Sequence, residues 1–360
     1  MKRERIVAAM SGGVDSAVAA ARCVAAGYDV IGISLRLLRG TDGHCCSLDD
    51  FHDARAVADR LAFPHYVFDM TEPFERHVMQ PFVAEYLAGR TPNPCARCNE
   101  HVKFGLLWER ARELGATRLA TGHYARIGVD PASGAPSLRT ARDPAKDQTY
   151  FLFMLGRRQL EQTLFPVGEL TKGEVRAEAA ALGLPVAHKA ESMEVCFVGD
   201  GDTAGFVERH APAAALRAGA IVDETGRELG RHGGVHRFTV GQRRGLGLGG
   251  GERRYVTGLD AATATVRVAA GEGPTPHGLV ARGVSWVAGV PPAAGASFTV
   301  RIRHRHPPIP ARLTAVEGDA VQVDFTAAGS VVTPGQAAVF YRDDLVLGGG
   351  WIESAVSGTA

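Results

Sequence analysis

A glycine turn between an apolar run and an alanine-rich run constrains this chain more than any other feature. The turn, MSGGVDS, covers residues 10–16. Residues 6–9 predict a short buried strand before it, and residues 17–26 predict a helix that ends at Gly27. A strand, a tight turn and a helix form an anion site, because backbone N–H groups of the glycines and of the helix N-terminus face a bound phosphate. The sequence therefore predicts a phosphate-binding loop here, called the glycine loop below.

The side chains of the glycine loop narrow its chemistry. Ser11 and Ser16 add hydroxyl donors, and Asp15 is predicted to hold Mg²⁺ against the phosphates. The pattern S-G-G-x-D-S has no lysine after its last glycine, so it is not a Walker A motif, and it is not G-x-G-x-x-G. It resembles the pyrophosphate-binding loop of the PP-loop ATP pyrophosphatases. That resemblance implies cleavage of ATP to AMP and pyrophosphate with adenylation of an acceptor oxygen, and it leaves the substrate open.

Strand and helix patterns alternate through the first half of the chain. Further strands are predicted at residues 30–35, 65–68 and 117–120, and a strand pair at 125–140. Helices are predicted at residues 51–61 (capped by Asp49 or Asp50), 72–87 (bent at Pro81), 100–114 and 172–182. This alternation predicts an α/β fold with a parallel sheet, whose ligands bind at the C-terminal ends of the strands.

Three cysteines are the other residues of this part of the chain that indicate reactive chemistry. The prolines of GRTPNPCARCN (residues 89–99) predict an extended loop that delivers Cys95 and Cys98 to the start of the helix at residue 100. The helix N-terminus and Arg97 favour a thiolate, so Cys98 is a candidate nucleophile. Cys196 follows a predicted short strand. Gly122, after the strand at 117–120, would let a nucleotide lie close to the backbone.

The composition changes near residue 206, where glycine becomes dense and helical periodicity disappears. A hairpin is predicted at residues 220–229, and a basic strand at 301–306 with Arg301, Arg303 and Arg305 on one face. We therefore predict an ATP-binding domain at residues 1–205, a small β-rich domain at 206–276 and a β-barrel at 277–360.

The net charge and the cysteine content limit the kinds of function and cellular environment that the sequence allows. The net charge is +1, so any RNA site must be a local basic patch. No secretion signal or apolar run of membrane length is evident, and six cysteines then predict a reducing, cytoplasmic environment without membrane partners.

The chain resembles the tRNA-specific 2-thiouridylases along nearly its whole length. The motifs that carry this resemblance are AMSGGVDS (9–16), CCSLDDFHDAR (45–55), GRTPNPCARCN (89–99), ATGHYAR (120–126), KDQTYFL (146–152), ESMEVCFV (191–198), FTVGQRRGLGL (238–248) and PGQAAVFY (334–341). The resemblance implies a PP-loop domain, a small central domain and a C-terminal β-barrel. It also implies ATP-dependent 2-thiolation of the wobble uridine of tRNAs, such as those for glutamate, glutamine and lysine.

The resemblance further implies roles for individual residues. Cys98 corresponds to the nucleophile and Cys196 to the persulfide carrier, and turnover would leave a disulfide between them. A cysteine desulfurase or relay protein would supply the sulfur. ATP contacts are implied for Ala9, Met10, Ser11, Gly12, Gly13, Val14, Asp15, Ser16, Leu35 and Gly122. Contacts with tRNA are implied for Asn93, Pro94, Cys95, His123, Lys146, Asp147, Gln148, Arg303, His304 and Gln336.

Several alternatives remain open at this point. Many relatives have aspartate where this chain has Cys95, so Cys95, Cys98 and Cys196 are also candidate ligands of a 4Fe–4S cluster. The C-x-x-C pair is alternatively half of a zinc site. The glycine loop also suits another PP-loop ligase, or an RNA-binding protein gated by nucleotide. Cys23 is predicted to be a core residue, and Cys45 and Cys46 are left without a role.

Overall fold

The computed structural model describes residues 3–39, 47–130, 134–190, 195–249, 253–271, 275–327 and 330–357. Cys45, Cys46 and the first half of the ESMEVCFV motif lie outside the described residues.

The N-terminal part of the chain forms a parallel five-stranded sheet in the order β3-β2-β1-β4-β7. Its strands are β1 (Arg5–Ala9), β2 (Asp29–Arg36), β3 (His65–Asp69), β4 (Arg118–Ala120) and β7 (Thr163–Leu164). Along β1, Ile6 and Ala8 enter one apolar cluster while Val7 enters another, as the two-residue period of a strand requires. Both faces of the sheet are thus covered, which confirms the predicted α/β fold and the four strands predicted in it.

Helices cover both faces of this sheet. The regular α-helical segments are α1 (Val14–Ala25), α2 (Leu48–Arg60), α3 (Thr71–Phe74), α4 (Gln80–Leu87), α5 (Pro94–Arg97), α6 (Leu107–Glu113), α7 (Arg157–Glu161), α8 (Lys172–Ala181) and α9 (Thr203–His210). The π-helical segment Glu75–Met79 joins α3 to α4, so the helix predicted at residues 72–87 is confirmed, with its irregular turn just before Pro81.

The start of α2 differs from the prediction. Ser47, rather than Asp49 or Asp50, is the capping residue: its hydroxyl accepts from Asp50 N at 3.2 Å, and the Asp50 carboxylate accepts from Ser47 N at 2.9 Å. The reciprocal capping box satisfies two backbone donors that an aspartate cap alone would leave open.

The helix that carries Cys95 and Cys98 begins at Pro94 rather than at residue 100. We call residues 94–113 the cysteine helix; it comprises α5, the π-helical segment Cys98–Leu106 and α6. The extended loop predicted from the prolines is wrong at this point, because a proline fits the first position of a helix, where no N–H is needed. The Asn93 side chain caps the helix, accepting from Ala96 N at 3.2 Å.

The C-terminal part of the chain closes into a barrel of six strands. These are β12 (Gly278–Trp286), β13 (Ser297–Arg301), β14 (Ile309–Glu317), β15 (Ala320–Phe325), β16 (Ala337–Arg342) and β17 (Leu345–Val356), with β12 paired to β17. The predicted strand pair at 125–140 is confirmed as β5 (Ala125–Val129) and β6 (Pro136–Thr140). It pairs with β17 of the barrel rather than with the N-terminal sheet.

A four-stranded sheet lies between these two parts in sequence. Its strands are β8 (Gly219–Val222), β9 (Glu228–His232), β10 (Arg254–Asp260) and β11 (Thr265–Ala270), and β8 and β9 form the predicted hairpin. The domain boundary predicted at residue 205 falls inside α9, whose Phe206 and Val207 pack into the core of the N-terminal part.

The basic strand predicted at residues 301–306 is absent from the structure. Strand β13 ends at Arg301 and residues 302–306 turn, so Arg303 and Arg305 do not continue a strand face with Arg301. A turn replaces the strand, because the His306 N–H donates to the Arg303 carbonyl at 3.1 Å and so is not available to a neighbouring strand. The short strand predicted before Cys196 falls mostly on residues outside the described ranges; the described residues 195–198 form a turn, closed by a hydrogen bond from Val198 N to the Val195 carbonyl at 3.0 Å. None of the described helices is long and apolar enough to cross a membrane.

Candidate active site

The glycine loop connects β1 to α1 at the C-terminal edge of the parallel sheet. Gly12 has a φ of +72°, and a Cβ at this position would overlap the backbone carbonyl of Asp50 in α2. Glycine is therefore required at position 12 for two reasons. Its backbone conformation is one that other residues avoid, and its missing side chain allows close packing against the start of α2.

Two hydroxyls and a helix N-terminus converge at this loop. Ser16 Oγ lies 3.1 Å from Ser11 Oγ, accepts from Ser11 N at 3.2 Å and donates to the Gly13 carbonyl at 2.9 Å. Gly13 precedes α1 and offers no side-chain cap to its first N–H groups. These donors and the partial positive charge of the helix suit an anion such as a phosphate.

Gly122 supports the loop from the neighbouring strand. A Cβ on Gly122 would lie 2.6 Å from Ser16 N and 2.7 Å from the carbonyl carbon of Asp15. Because Gly122 has no side chain, the backbone after β4 can pack directly against the glycine loop. Gly122 also lines a cavity beside that loop.

Asp15 is held by a lysine and a tyrosine from distant parts of the chain. Lys172 Nζ donates to both carboxylate oxygens at 2.7 and 2.9 Å, and Tyr124 Oη donates to one of them at 2.8 Å. Lys172 is the first residue of α8, where the helix dipole disfavours a cation. Lys172 is not among the residues predicted from the sequence. A lysine at the start of a predicted helix is unfavourable, and this position could have suggested that Lys172 pairs with a distant carboxylate.

A cavity of about 240 Å³ opens beside the loop, and we call it the nucleotide cavity. Its walls combine the loop with apolar side chains of β2 and with one face of the cysteine helix. The lining residues are Ala9, Met10, Ser11, Asp15, Ser16, Ile33, Leu35, Leu37, Lys103, Leu107, Thr121, Gly122, His123 and Gln148. Hydroxyls next to aliphatic side chains suit a nucleotide, which has a charged end and a flat apolar base.

His123 is a neutral residue in the wall of this cavity. Its ring packs against Phe104 and Phe165, and its Nδ1 lies 2.8 Å from Thr121 Oγ1. Burial, together with the nearby charge of Lys103, lowers the pKa of His123 well below its ordinary value. The predicted tRNA residue is thus an uncharged imidazole beside the nucleotide cavity.

Cys98 of the cysteine helix and the distant Cys196 contact the same apolar cluster. Cys95 is exposed, whereas Cys98 is buried and belongs to the main apolar cluster. Cys196 packs against that cluster, and the neighbouring Phe197 contacts the rings of Phe74 and Phe82 at 5.6 and 5.1 Å. Two cysteines far apart in sequence therefore share one packed region.

The described residues contain no group of three or more His, Cys, Asp or Glu side chains arranged to hold a metal ion. Cys95, Cys98 and Cys196 accordingly do not form the ligand set expected of an iron–sulfur cluster, and the C-x-x-C pair is not joined by further zinc ligands there.

The predicted tRNA residues divide between buried and exposed positions. The Asp147 carboxylate is buried and accepts from Arg301 at 2.8 Å, while His304 Nε2 lies 3.1 Å from the Asp147 carbonyl oxygen. Gln336 donates to the carbonyls of Thr91 and Pro92 at 2.9 and 3.1 Å. Asp147 is thus joined to the C-terminal part of the chain, and Gln336 joins the barrel to the segment just before the cysteine helix.

The remaining residues of that set lie in four kinds of position. Arg303 is exposed. Lys146 is partly exposed. Gln148 exchanges hydrogen bonds with the Tyr124 backbone at 2.9 Å and faces the nucleotide cavity. Asn93 and Pro94 are buried at the start of the cysteine helix.

The parallel sheet, the glycine loop and the cavity beside it define a nucleotide-binding α/β protein of the PP-loop class. Residues 4–200 match the family described as tRNA methyl transferase HUP domain. Residues 204–270 match the tRNA methyl transferase PRC-barrel domain, and residues 276–352 match the aminomethyltransferase beta-barrel domain.

Curated relatives define the family more narrowly. The chain is 51% identical to the tRNA-specific 2-thiouridylase MnmA of Geotalea uraniireducens, over 99% of this chain and 96% of that protein. It is 49% identical to the tRNA-specific 2-thiouridylase MnmA of Solibacter usitatus, over 98% of this chain and all of that protein. The chain therefore belongs to the tRNA-specific 2-thiouridylase MnmA family.

A solved structure shows a weaker likeness. The U34-tRNA thiolase NcsA from Methanococcus maripaludis with its 4Fe–4S cluster matches 57% of this chain and 62% of its own, at 17% identity and a TM-score of 0.35. This similarity is too low to bear on the site.

Proposed function

We propose that this protein replaces the C2 oxygen of the wobble uridine in tRNA with sulfur, using ATP, in the cytoplasm. Family membership supports the reaction. The observation that carries it in the structure is the cysteine helix, which holds Cys98 near its start and lines the nucleotide cavity with Lys103 and Leu107. One rigid element thus connects the nucleotide site to the candidate nucleophile.

ATP binds with its phosphates at Ala9 and the glycine loop, and with its base against Leu35 and the backbone at Gly122. Lys172 and Tyr124 orient the Asp15 carboxylate toward the cavity. A single carboxylate is the kind of ligand that Mg²⁺ combines with nucleotide phosphates. Both Asp15 oxygens accept from Lys172, so an ion held by Asp15 would share the carboxylate with that lysine and would neutralise phosphate charge.

Adenylation activates the base. The C2 oxygen of uridine attacks the α-phosphorus, and the bond to pyrophosphate breaks with its electron pair leaving on pyrophosphate. The hydroxyls of Ser11 and Ser16, which hydrogen-bond to one another in this structure, then donate to the phosphates together with the α1 N-terminus, where negative charge develops. The C2–O bond now has AMP as its leaving group.

Sulfur transfer then proceeds through two cysteines. The terminal sulfur of a persulfide on Cys196 attacks C2, and the C2–O bond breaks with its electrons leaving on AMP. The Cys98 thiolate attacks Sγ of Cys196, the S–S bond to the new sulfur breaks, and 2-thiouridine departs. The resulting Cys98–Cys196 disulfide requires an external dithiol reductant, and a cysteine desulfurase, directly or through a relay protein, reloads Cys196.

The proposed tRNA contacts are made by the residues that the family resemblance implies. Asn93, Pro94 and Cys95 meet the target base, and exposed Cys95 is the accessible member of that segment. Arg303 and Lys146 suit phosphate contacts, whereas buried Asp147 acts by holding Arg301 and the His304 ring in place. The tRNAs for glutamate, glutamine and lysine are the proposed substrates.

The test is incubation of the purified protein with ATP, unmodified tRNA, and cysteine with a desulfurase. We expect 2-thiouridine at the wobble position by nucleoside mass spectrometry, with one pyrophosphate released for each thiolated base. Pyrophosphate release without thiolation would favour another PP-loop ligase, and tRNA binding without pyrophosphate release would favour an RNA-binding protein.

Iron analysis tests the cluster alternative separately. We expect anaerobically purified protein to contain no stoichiometric iron or acid-labile sulfide and to thiolate tRNA fully with the persulfide donor, because its cysteines are not arranged as a three-ligand set. Stoichiometric iron whose removal stops thiolation would replace the persulfide route with the cluster.

A further inference from the structure

We infer that Lys103 contacts the α-phosphate of bound ATP and stabilises the charge that develops there during adenylation. This inference deepens the proposed function and rests on it. It adds to the site a cation that the sequence analysis assigned no role.

The position of Lys103 is the first argument. It lines the nucleotide cavity together with Ser11, Asp15 and Ser16 of the glycine loop. Among the described residues of that lining, Lys103 is the one lysine or arginine. An aliphatic chain ending in an ammonium group suits a wall that begins among apolar side chains and faces a phosphate.

The charge balance of the cavity is the second argument. Asp15 is already paired with Lys172, so this pair offers little net positive charge to a nucleotide. His123, which lines the same cavity, is a buried neutral imidazole whose ring lies within hydrogen-bond distance of Thr121. The helix α1 N-terminus contributes only a partial charge. Lys103 is the residue that brings an ammonium group to the described lining of this cavity.

The shape of the cysteine helix is the third argument. Successive residues of an α-helix turn by about 100°, so Cys98 and Lys103, five positions apart, would point away from one another. The segment Cys98–Leu106 is π-helical, and its wider i to i+5 turns bring the two residues closer to a common face. Phe104 packs against the His123 ring at 5.9 Å and fixes the helix against the cavity wall.

The chemical role follows from this placement. Lys103 Nζ donates a hydrogen bond to a non-bridging oxygen of the α-phosphate and transfers no proton. The interaction strengthens as the C2 oxygen of uridine approaches phosphorus and the electron pair leaves on pyrophosphate. Lys103 should then affect the rate of adenylation more than the binding of ATP.

The test compares Lys103→Met with Arg110→Met, which removes a positive charge from the exposed side of the same helix. ATP–pyrophosphate exchange, measured with tRNA and no sulfur donor, isolates adenylation. We expect Lys103→Met to lower the maximal exchange rate by about 100- to 1,000-fold while the Kd for ATP changes less than about fivefold. Arg110→Met should change neither quantity by more than about twofold.

Two further measurements exclude a merely structural effect. Lys103→Arg keeps the charge, so we expect it to recover at least about tenfold of the lost rate, and the thermal unfolding midpoint of each variant should stay near that of the parent chain. Unchanged exchange in Lys103→Met overturns the inference, as does weaker ATP binding that accounts for the whole loss. Absence of exchange in the unmodified protein would instead count against the proposed function.

Discussion

Replacing Cys98 with serine is expected to reduce tRNA thiolation by at least about 10⁴-fold, which is the scale for removal of a reacting nucleophile. A serine hydroxyl does not ionise near neutral pH and does not exchange with a persulfide, whereas a thiolate does. Adenylation depends on the glycine loop and not on this sulfur. The ATP–pyrophosphate exchange of Cys98→Ser should therefore stay within about threefold of that of the parent chain.

Cys23→Ala is the matched control for this experiment. Cys23 lies buried in α1, and burial raises the pKa of its thiol to about 12, so it is not a thiolate at neutral pH. Its removal should leave the thiolation rate nearly unchanged and lower the free energy of unfolding by about 1 kcal/mol. Thiolation that persists in Cys98→Ser would show that another group accepts or resolves the sulfur.

Gly12→Ala is expected to lower the free energy of unfolding by about 2–4 kcal/mol and to weaken ATP binding by at least about tenfold. The φ of +72° is strained for alanine, and the new methyl group would overlap the Asp50 backbone, whose Cα lies 2.7 Å from the Cβ position. Either the loop or the capped start of α2 must shift. Urea unfolding and calorimetric titration with ATP measure the two effects.

Gly13→Ala separates conformational strain from simple loss of a glycine. Gly13 has a φ of −98°, and the nearest atom to its Cβ position is Ser11 Oγ at 3.5 Å. Alanine fits there without strain, and its weaker preference at a helix N-cap should lower the free energy of unfolding by at most about 1 kcal/mol. Equal losses in the two variants would contradict the loop conformation described above.

Local patterns were sufficient for much of the fold. The apolar runs at residues 6–9 and 30–35 became central parallel strands because both faces of each strand are covered by helices. The glycine loop lies where the strand–turn–helix order placed it. The prolines of residues 89–99 predict an extended loop, but Pro94 lies at the first position of the cysteine helix and Asn93 caps it, so the helix starts earlier than predicted.

Hydrogen bonds and ion pairs between side chains far apart in the chain could not be predicted from the sequence. Lys172 and Asp15 are 157 positions apart, and Arg301 and Asp147 are 154 positions apart. Neither pair leaves a periodic pattern, because a contact between single side chains depends on how whole elements pack. The hairpin β5–β6 was correctly predicted as strands, but only the packed structure shows that it extends the sheet of the barrel.

The sequence by itself determined the parallel α/β core and the position of the glycine loop between β1 and α1, since each depends on residues close together in the chain. Phosphate binding at this loop and the nucleophilic role of Cys98 stay predictions. The tertiary structure decided what surrounds them: the lysine that pairs with Asp15, the lysine that faces the nucleotide cavity and the core shared by Cys98 and Cys196. These features depend on free energies of packing and charge pairing that arise only when distant segments meet.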